Sequence, residues 1–290
     1  MKPAPFDYFA PTSLEEALDK LTDLGYSGKV LAGGQSLIPA MNFRMARPAA
    51  LVDLNKVNEL SYIKPTDDGG LAIGTMTRDS AIEDSEIVKR LFPIIAEVMP
   101  NIAHKQIRNR GTFGGAIAHA DPAAQIPALS LLLDAKMKIQ SKKGDRWVDA
   151  QDFFMGPFMT VLEPEDLLTE VLLPGLVPGT GSSYKQISRQ RGGYAQAAAI
   201  SKVVMDGIKV KDVRVVLFSV AETPVLTKEP VRVLVGQVPT TEAIEAVAEY
   251  VAQNECDPGT DIHGTAEYRR NLVRVLVRRS LTEAVERARK

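Results

Sequence analysis

The chain has 290 residues, 45% of them hydrophobic and 24% charged, so it is long enough for two domains with buried cores and too apolar for a disordered protein. Its 35 Lys and Arg residues nearly balance 36 Asp and Glu residues, and a net charge of -1 argues against a nucleic-acid-binding or anionic-membrane-binding surface. No segment approaches the ~18 apolar residues of a membrane span, and the amino terminus has no apolar leader, so we expect a cytoplasmic protein.

A capping-box spacing predicts the first helix, because Thr12 stands three residues before Glu15. Four leucines recur on one face of this helix: Leu14, Leu18, Leu21 and Leu24. Gly25 is a typical stop signal after them. We interpret the helix as scaffold.

A short apolar strand, residues 29–32, leads into a run of small residues that we name the first glycine loop, residues 31–39 (LAGGQSLIP). Gly33 and Gly34 free the backbone, and Gln35 and Ser36 add side-chain donors. Such a loop suits a phosphate, although an isolated Gly-Gly pair is more often only a tight turn. Asp53, at the end of the next predicted strand, is expected to be structural.

Residues 63–77 alternate as in a β-hairpin around the turn at residues 67–70. The second strand ends in Gly74, Thr75 and Thr77, small residues that either lie beside a ligand or mark a glycine bulge. Helical spacing then predicts one helix over residues 80–99, ended by Pro100.

The second glycine loop, residues 107–127 (IRNRGTFGGAIAHADPAAQIP), is the most distinctive segment. Gly111, Gly114 and Gly115 permit close approach to the backbone, and Thr112 can place a hydroxyl among exposed N–H groups. A helix is predicted over residues 122–133, with Asp121 at the N-cap and its unpaired N–H groups directed at the loop. Two loops of this kind suit a diphosphate, yet neither has the spacing of a Rossmann fingerprint or a P-loop.

The carboxy-terminal half has a different pattern. After a hairpin at residues 136–148 and a strand at residues 167–173, the Gly-, Pro- and Ser-rich residues 175–183 indicate a linker. Two strands and two helices are predicted to follow: residues 203–210, 213–219, 240–253 and 266–289. The last helix is rich in arginine, which indicates a solvated or subunit-packed face more often than an anionic partner.

Two residues of this half are candidates for ligand contact. Tyr194 is flanked by glycines and alanines, so its ring can pack on a flat aromatic ligand, and Lys185 lies shortly before it. The single cysteine, Cys256, excludes an iron–sulfur cluster built by this chain alone. The three histidines, His104, His119 and His263, have no metal-binding spacing, so we predict no metal site.

Six segments carry a resemblance that extends over nearly the whole chain: FDYFAPTSLEEAL, LAGGQSLIP, LVDLNKV, AIGTMT, IRNRGTFGGAIAHADPAAQIP and YKQISRQRGGYAQAAA. In this order they resemble the FAD-binding medium subunit of the molybdenum hydroxylases, the family of xanthine dehydrogenase, carbon monoxide dehydrogenase and bacterial N-heterocycle hydroxylases. The resemblance implies an α+β fold: a two-lobed, non-Rossmann FAD domain of the PCMH type over residues 1–176 (lobes about 1–57 and 58–176) and a carbon monoxide dehydrogenase flavoprotein-type domain over residues 177–290.

The resemblance also implies noncovalent FAD, since residues 33–36 and 111–115 contain no histidine or cysteine to tether it. The implied cofactor-binding residues are Leu31, Ala32, Gly33, Gly34, Gln35, Ser36, Leu37, Gly74, Thr75, Thr77, Ile102, Gly111, Thr112, Gly114, Gly115, Ala116, His119, Ala120, Asp121, Leu168, Lys185 and Tyr194. In the family, the acid corresponding to Asp121 contacts the adenosine part of FAD. Two positions depart from family members: Gly193 replaces a common acid, and Gln35 replaces the histidine of carbon monoxide dehydrogenases.

No residue is expected to act as acid, base or nucleophile, because the flavin carries the chemistry. The resemblance implies a large molybdenum–pterin subunit and a small subunit with two [2Fe–2S] clusters, assembled as a dimer of heterotrimers that passes electrons through this chain to an external acceptor. The basic residues 105–110 are either a docking edge or structural. Two alternatives stay open: a freestanding flavin oxidase or reductase, and a nucleotide-binding regulatory module without turnover.

Overall fold

The structure is a computed structural model that describes residues 2–290. It begins with a small three-stranded sheet and two helices in the connections: β1 (Asp7–Phe9), α1 (Leu14–Leu24), β2 (Gly28–Leu31), α2 (Leu37–Asn42) and β3 (Ala50–Asp53). The strands are parallel, in the order β1-β3-β2. The carboxyl ends of β2 and β3 therefore meet at one edge of the sheet, where the first glycine loop begins.

The first helix is capped one residue later than the sequence predicts. The hydroxyl of Ser13 accepts from the N–H of Glu16 (3.2 Å), and the Glu16 carboxylate accepts from the N–H of Thr12 (2.8 Å). Both Thr12 with Glu15 and Ser13 with Glu16 have capping-box spacing, so spacing alone could not choose between them. The helix buries Ala17, Leu18 and Leu21.

The second lobe is built on a five-stranded antiparallel sheet, in the order β4-β5-β10-β6-β7. Its strands are β4 (Ile63–Pro65), β5 (Leu71–Gly74), β6 (Lys136–Ser141), β7 (Gly144–Asp149) and β10 (Leu167–Leu173), with a short hairpin of β8 (Phe154–Gly156) and β9 (Met159–Thr160). Its helices are α3 (Asp79–Asp84), α4 (Glu86–Leu91), α5 (Pro93–Val98), α6 (Lys105–Arg108), α7 (Phe113–His119), α8 (Gln125–Leu132) and α9 (Ala150–Phe153). Single 3-10 turns occupy Gly25–Ser27, Leu54–Lys56, Asn58–Leu60 and Met99–Asn101.

The single helix predicted over residues 80–99 is wrong, because the structure divides this segment into α3, α4 and α5. Ser85 ends α3 in an extended conformation and caps α4 by accepting from the N–H of Val88 (3.3 Å). Pro93, which has no N–H to donate, then starts α5. The apolar face continues across both breaks, which is why periodicity alone predicted one helix.

The carboxy-terminal domain is a four-stranded antiparallel sheet with three helices. Its elements are β11 (Thr180–Ser188), β12 (Ala195–Asp206), β13 (Lys209–Phe218), β14 (Val225–Leu226), α10 (Glu229–Leu234), α11 (Thr241–Asn254) and α12 (Ala266–Ala288). The predicted α+β class, with an antiparallel sheet and helices in a smaller second domain, is confirmed. The division of the chain at residue 176 stays a prediction.

Two predictions in this domain are wrong. Residues 175–183 are not all linker, since β11 begins at Thr180. Gly181 lies within this strand. A Cβ there would lie 2.1 Å from the carbonyl oxygen of Ala284, so only glycine lets α12 lie this close to β11. The predicted strand over residues 203–210 runs across a turn, where Gly207 has φ +58° between β12 and β13.

The two faces of this sheet serve different cores. Tyr184, Ala198, Ile200 and Phe218 pack into the core of the second lobe, whereas Ala197 and Ala199 pack against α11 and α12. The second lobe and the carboxy-terminal sheet therefore share one continuous core. Within residues 2–290, no helix combines the length and apolar character that crossing a membrane requires.

Candidate functional site

The first glycine loop leaves β2 and exposes a row of backbone donors. Gly34 has φ +74°, a conformation that favours glycine. Among the described residues, the N–H groups of Gly33, Gly34, Gln35 and Ser36 have no hydrogen-bond acceptor. The Gln35 side chain donates to the carbonyl oxygen of Gly33 (3.1 Å), and the Ser36 hydroxyl does not cap α2. The loop thus presents several adjacent donors for a ligand with many acceptor oxygens.

These donors border an open pocket of about 320 Å³ at the carboxyl edge of the parallel sheet. Its lining residues are Leu31, Ala32, Gly33, Gly34, Gln35, Ile38, Pro39, Asn42, Asp53, Asn55 and Arg110. Arg110 adds a cationic side chain that forms no ion pair within the described chain. Backbone donors beside a guanidinium favour an anion of phosphate size.

The two glycine loops are in direct contact. A Cβ built on Gly33 would lie 2.3 Å from the carbonyl oxygen of Arg110 and 2.9 Å from the Cα of Gly111. A Cβ on Gly115 would lie 3.2 Å from the Cβ of Ala32. The structure therefore brings together the two loops that the sequence identified separately.

The second glycine loop differs from the first because the amides of Phe113, Gly114 and Gly115 are already used. Within it, Thr112 caps α7 by accepting from the N–H of Gly115 (3.2 Å). The N–H of Phe113 donates to the carbonyl oxygen of Thr77 and that of Gly114 to the carbonyl oxygen of Thr75, both at 3.0 Å. The predicted exposed N–H groups around Thr112 are therefore wrong, and this segment packs as a wall beside the first loop.

Gly74, Thr75 and Thr77 lie in the segment that packs against the second loop. The Thr75 hydroxyl donates to the carbonyl oxygen of Leu168 (2.9 Å), and the Thr77 hydroxyl donates to that of Tyr62 (2.9 Å). Both threonine side chains are buried, and a Cβ on Gly74 would lie 2.4 Å from the carbonyl oxygen of Leu60. Their polar groups and close contacts are thus engaged within the protein.

The predicted helix start at Pro122 is wrong, and with it the N-cap role of Asp121. The helix α8 begins at Gln125, after Ala124, and the Asp121 carboxylate instead accepts from the N–H of Ala123 (2.8 Å). Asp121 therefore holds a turn rather than a helix end, as aspartate commonly does.

The end of α7 is packed against the β8–β9 hairpin. Ala120 has φ +51°, and its carbonyl oxygen accepts from the N–H of Phe158 (3.0 Å). The His119 ring lies 5.1 Å from the Phe158 ring, and burial lowers the pKa of His119 against the opposing effect of Asp121. Ala116 lies within α7, and Ile102 packs at the edge of the core.

Tyr194 is placed near the second loop by the turn between β11 and β12. Its side chain is 72% exposed, and partial burial together with the Asp121 carboxylate raises the pKa of its hydroxyl. Gly192 has φ +75°, and a Cβ there would lie 2.4 Å from the carbonyl oxygen of Ala103. The carboxy-terminal domain thus contacts the first domain at this turn and projects an accessible aromatic ring there.

Lys185 is not brought to the glycine loops by any contact within the described residues. Its neighbour in β11, Tyr184, faces the core and stacks on Phe218 with ring centroids 6.4 Å apart. Lys185 faces the other side of the strand, where its ammonium group pairs with Glu283 of α12. The same carboxylate accepts from Ser183 (2.9 Å), so this cation is held by the carboxy-terminal domain.

Sequence reasoning missed Asn55 and Arg78, which connect the two loops. The Asn55 amide group donates to the carbonyl oxygen of Ala32 (2.9 Å). Arg78 donates to the Asn55 side-chain oxygen and to the carbonyl oxygen of Arg110. No local motif marks these residues, because each bond joins segments far apart in the sequence.

A buried carboxylate, Asp79, also lies beside the second loop. It is only 4% exposed, and its Oδ1 has no hydrogen-bond partner among the described residues. A Cβ on Gly111 would lie 2.2 Å from its Oδ2, which explains the glycine at that position. Burial raises the pKa of Asp79 to about 7, although the charges of Arg108 and Arg78 oppose the shift.

The basic residues 105–110 are in part structural, which is one of the two roles that the sequence allows. Arg108 is buried, and its guanidinium pairs with both carboxylate oxygens of Glu83 (2.7 and 3.0 Å). It also donates to the carbonyl oxygen of Ile102 (2.9 Å). Residues 2–290 contain no group of three or more His, Cys, Asp or Glu side chains placed to hold a metal ion.

Comparison with known families gives two matches that together cover most of the chain. Residues 4–176 match the FAD binding domain in molybdopterin dehydrogenase, and residues 182–284 match the CO dehydrogenase flavoprotein C-terminal domain.

Individual proteins are similar over nearly their full lengths. The chain is 39% identical to the 6-hydroxypseudooxynicotine dehydrogenase complex subunit alpha of Paenarthrobacter nicotinovorans, covering 100% of this chain and 97% of that protein. It is 35% identical to the caffeine dehydrogenase subunit beta of Pseudomonas sp. (99% and 97% covered). Among solved structures, a carbon monoxide dehydrogenase from Hydrogenophaga pseudoflava that lacks the Mo-pyranopterin moiety superposes with a TM-score of 0.96 at 37% identity, covering 99% of both chains.

Proposed function

The chain belongs to the FAD-binding medium subunits of the molybdenum hydroxylases, the carbon monoxide and xanthine dehydrogenase family, and from this premise we propose how it holds its cofactor and joins its complex. It is the FAD-carrying electron-transfer subunit of a multi-subunit molybdenum-dependent oxidoreductase. The molybdenum–pterin and iron–sulfur centres of such complexes are carried by other subunits.

One observation carries the proposed FAD site: the row of N–H groups without acceptors in the first glycine loop. Gly33, Gly34 and Gln35 direct such groups along a pocket that also contains the guanidinium of Arg110. These donors fit a diphosphate, which has many acceptor oxygens and negative charge. In this proposal the first loop binds the diphosphate of FAD, and the second loop forms the wall against which it lies.

Several other predicted residues have distinct places in this proposal. Asp121, near the end of the second loop, lies close to Tyr194, so both are placed for the adenosine or the isoalloxazine part of FAD. Thr75 and Thr77 hold the second loop in position, because their carbonyl oxygens accept from its N–H groups. Gly74 precedes them in the chain, and the carbonyl oxygen of Leu168 accepts from the Thr75 hydroxyl. Lys185, paired with Glu283, contributes only after that ion pair rearranges.

When bound, FAD accepts electrons from the iron–sulfur centres and passes them to an acceptor. Relatives of 35 to 39% identity are named for different substrates, caffeine and a hydroxylated pseudooxynicotine. This diversity supports a medium subunit whose own residues do not form the substrate site. We further propose two [2Fe–2S] clusters in the small subunit, a dimer of heterotrimers, an external electron acceptor and a cytoplasmic location.

Flavin reduction in this chain should depend on its partner subunits. We expect the isolated chain to show negligible flavin bleaching with any organic substrate of the complex, whereas the complete complex bleaches rapidly, because electrons arrive through the iron–sulfur centres. Stopped-flow absorbance of the chain alone and of the complex measures this difference. Equal rates in both samples would favour the freestanding oxidase.

The FAD should be released by acid. Residues 33–36 and 111–115 offer no histidine or cysteine for a covalent bond, and His119 packs on Phe158 at the far end of α7. We expect all flavin absorbance to appear in the supernatant after acid precipitation. Flavin that stays with the precipitated protein would contradict the noncovalent site.

A further inference from the structure

We propose that Asn55 and Arg78 are positioning residues that hold the two glycine loops in register, so that FAD binding depends on their hydrogen bonds. The inference rests on the proposed placement of FAD at these loops. It concerns residues that belong to neither glycine loop.

The two side chains form a continuous bridge. Asn55 follows β3 and is fixed by Asp53, whose carboxylate accepts from the N–H of Asn55 (2.9 Å). Its amide group donates to Ala32 of the first loop, and its oxygen accepts from Arg78. Arg78 completes the bridge with a second bond, to the carbonyl oxygen of Arg110. Both loops are thus tied through one amide and one guanidinium.

The bridge also sets the direction of the donors. In a trans peptide the carbonyl and the following N–H point in opposite directions. Because Asn55 holds the carbonyl of Ala32, the N–H of Gly33 points away from Asn55. In the same way, the bond from Gln35 to the carbonyl of Gly33 orients the N–H of Gly34. Loss of the Asn55 bond therefore frees the first donor of the row to turn.

Charge supports the same arrangement. Burial and the neighbouring charge of Arg110 lower the pKa of Arg78, against the opposing effects of Asp53 and Asp79. The guanidinium groups of Arg78 and Arg110 repel each other as like charges. A bound diphosphate offsets this repulsion, so the bridge and the anion stabilise each other.

The test is a double-mutant cycle on the full-length chain, stripped of flavin and titrated with FAD. The variants are Asn55→Ala, Arg78→Met and the double variant, with Arg78→Lys as a milder second choice. The matched control is Arg214→Met, which removes a guanidinium that bridges the carbonyl oxygen of Leu131 and the carboxylate of Asp134 elsewhere in the molecule. FAD Kd and the melting temperature of the flavin-free chain are measured for each.

Each single variant should raise the Kd for FAD about tenfold, the scale of one lost hydrogen bond. The double variant should stay near tenfold, because either change breaks the same bridge. The flavin-free melting temperature should fall no more than in Arg214→Met, whose Kd stays at the wild-type value.

Three results would overturn the inference. They are an unchanged Kd in both single variants, a double variant weakened about a hundredfold as the product of the singles, or an Arg214→Met control whose Kd for FAD rises as much as that of the single variants. Failure of the wild-type chain itself to bind FAD would instead overturn the proposed FAD site.

Discussion

Replacing Gly33 with alanine should sharply lower FAD loading. The added Cβ would lie 2.3 Å from the carbonyl oxygen of Arg110 and 2.9 Å from the Cα of Gly111, distances that Cβ atoms essentially never show. Both neighbours are backbone atoms, so no side-chain rotation relieves the overlap. The loops must separate, and overpacking of this kind corresponds to about 2.7 kcal/mol or a hundredfold weaker binding of FAD.

The matched control is Gly259→Ala, because a Cβ there meets nothing within 4 Å and its backbone is not in the left-handed region. The flavin-to-protein ratio after purification and the Kd for added FAD are compared in the two variants. Gly259→Ala should match the wild-type chain. Gly33→Ala with a full complement of FAD would show that contact between the loops is not needed for binding.

Substitutions at Gly34 and Gly115, which the sequence already singles out, should also lower FAD loading, but the structure gives different reasons. Gly34 has φ +74°, so a β-branched residue there is strained whatever the space around it. A Cβ on Gly115 would lie 2.5 Å from the Thr112 hydroxyl oxygen and would disturb the cap of α7. Space for a diphosphate was the sequence-based reason, whereas backbone strain and helix capping are the reasons visible in the fold.

The sequence could indicate the two loops of the proposed FAD site because their small residues are local. Residues 31–39 and 107–127 each contain enough glycine to require close contact, and the two loops do meet. The sequence could not predict which loop keeps free donors. That depends on the carbonyl groups of Thr75 and Thr77, which reach the second loop from a different segment and use its amides.

Long-range pairing also determines contacts near the proposed site that the sequence does not show. Lys185 stands near Tyr194 in the sequence, but a strand places successive side chains on opposite faces, and the face of Lys185 is occupied by Glu283 from the last helix. Asn55 and Arg78 could not be identified from the sequence, because their partners lie far away along the chain. Ordinary polar residues in ordinary segments become important only when the fold places them between two loops.

The fold was predictable where a local sequence pattern specifies the element. It was not predictable where the same residue type can serve either of two structural roles. The hairpin of β6 and β7 follows from alternation around a glycine turn. The strand β11 was hidden because Gly181 resembles a linker residue although it serves the close approach of α12. Composition alone does not distinguish a glycine that bends the chain from one that admits a neighbour.

Asp79→Asn should stabilise the flavin-free chain at neutral and higher pH. Burial raises the pKa of Asp79 to about 7, well above the ordinary range of an aspartate, with Arg108 and Arg78 opposing the shift. Because the folded-state pKa is above the unfolded value, the folded chain holds this proton more tightly. The resulting stability is fully present below about pH 4 and is lost as pH rises through about 7.

An asparagine does not titrate, so it avoids that loss. The shift corresponds to a gain on the order of 4 kcal/mol above about pH 8, as the upper limit for one buried carboxylate. The control is Asp166→Asn, since Asp166 is buried but accepts from Arg146 at 2.6 and 3.1 Å and should therefore lose stability at neutral pH.

The measurement is the unfolding free energy of the flavin-free wild-type chain and both variants from about pH 4 to 8. The difference between Asp79→Asn and wild type should grow across this range, because only the wild-type chain must ionise a carboxylate whose Oδ1 has no partner. A constant difference across the range would show that Asp79 does not titrate there. Because this carboxylate lies against Gly111, the loss of stability on its ionisation is located at the second glycine loop. Binding sites commonly hold groups with shifted pKa values that lower the stability of the fold.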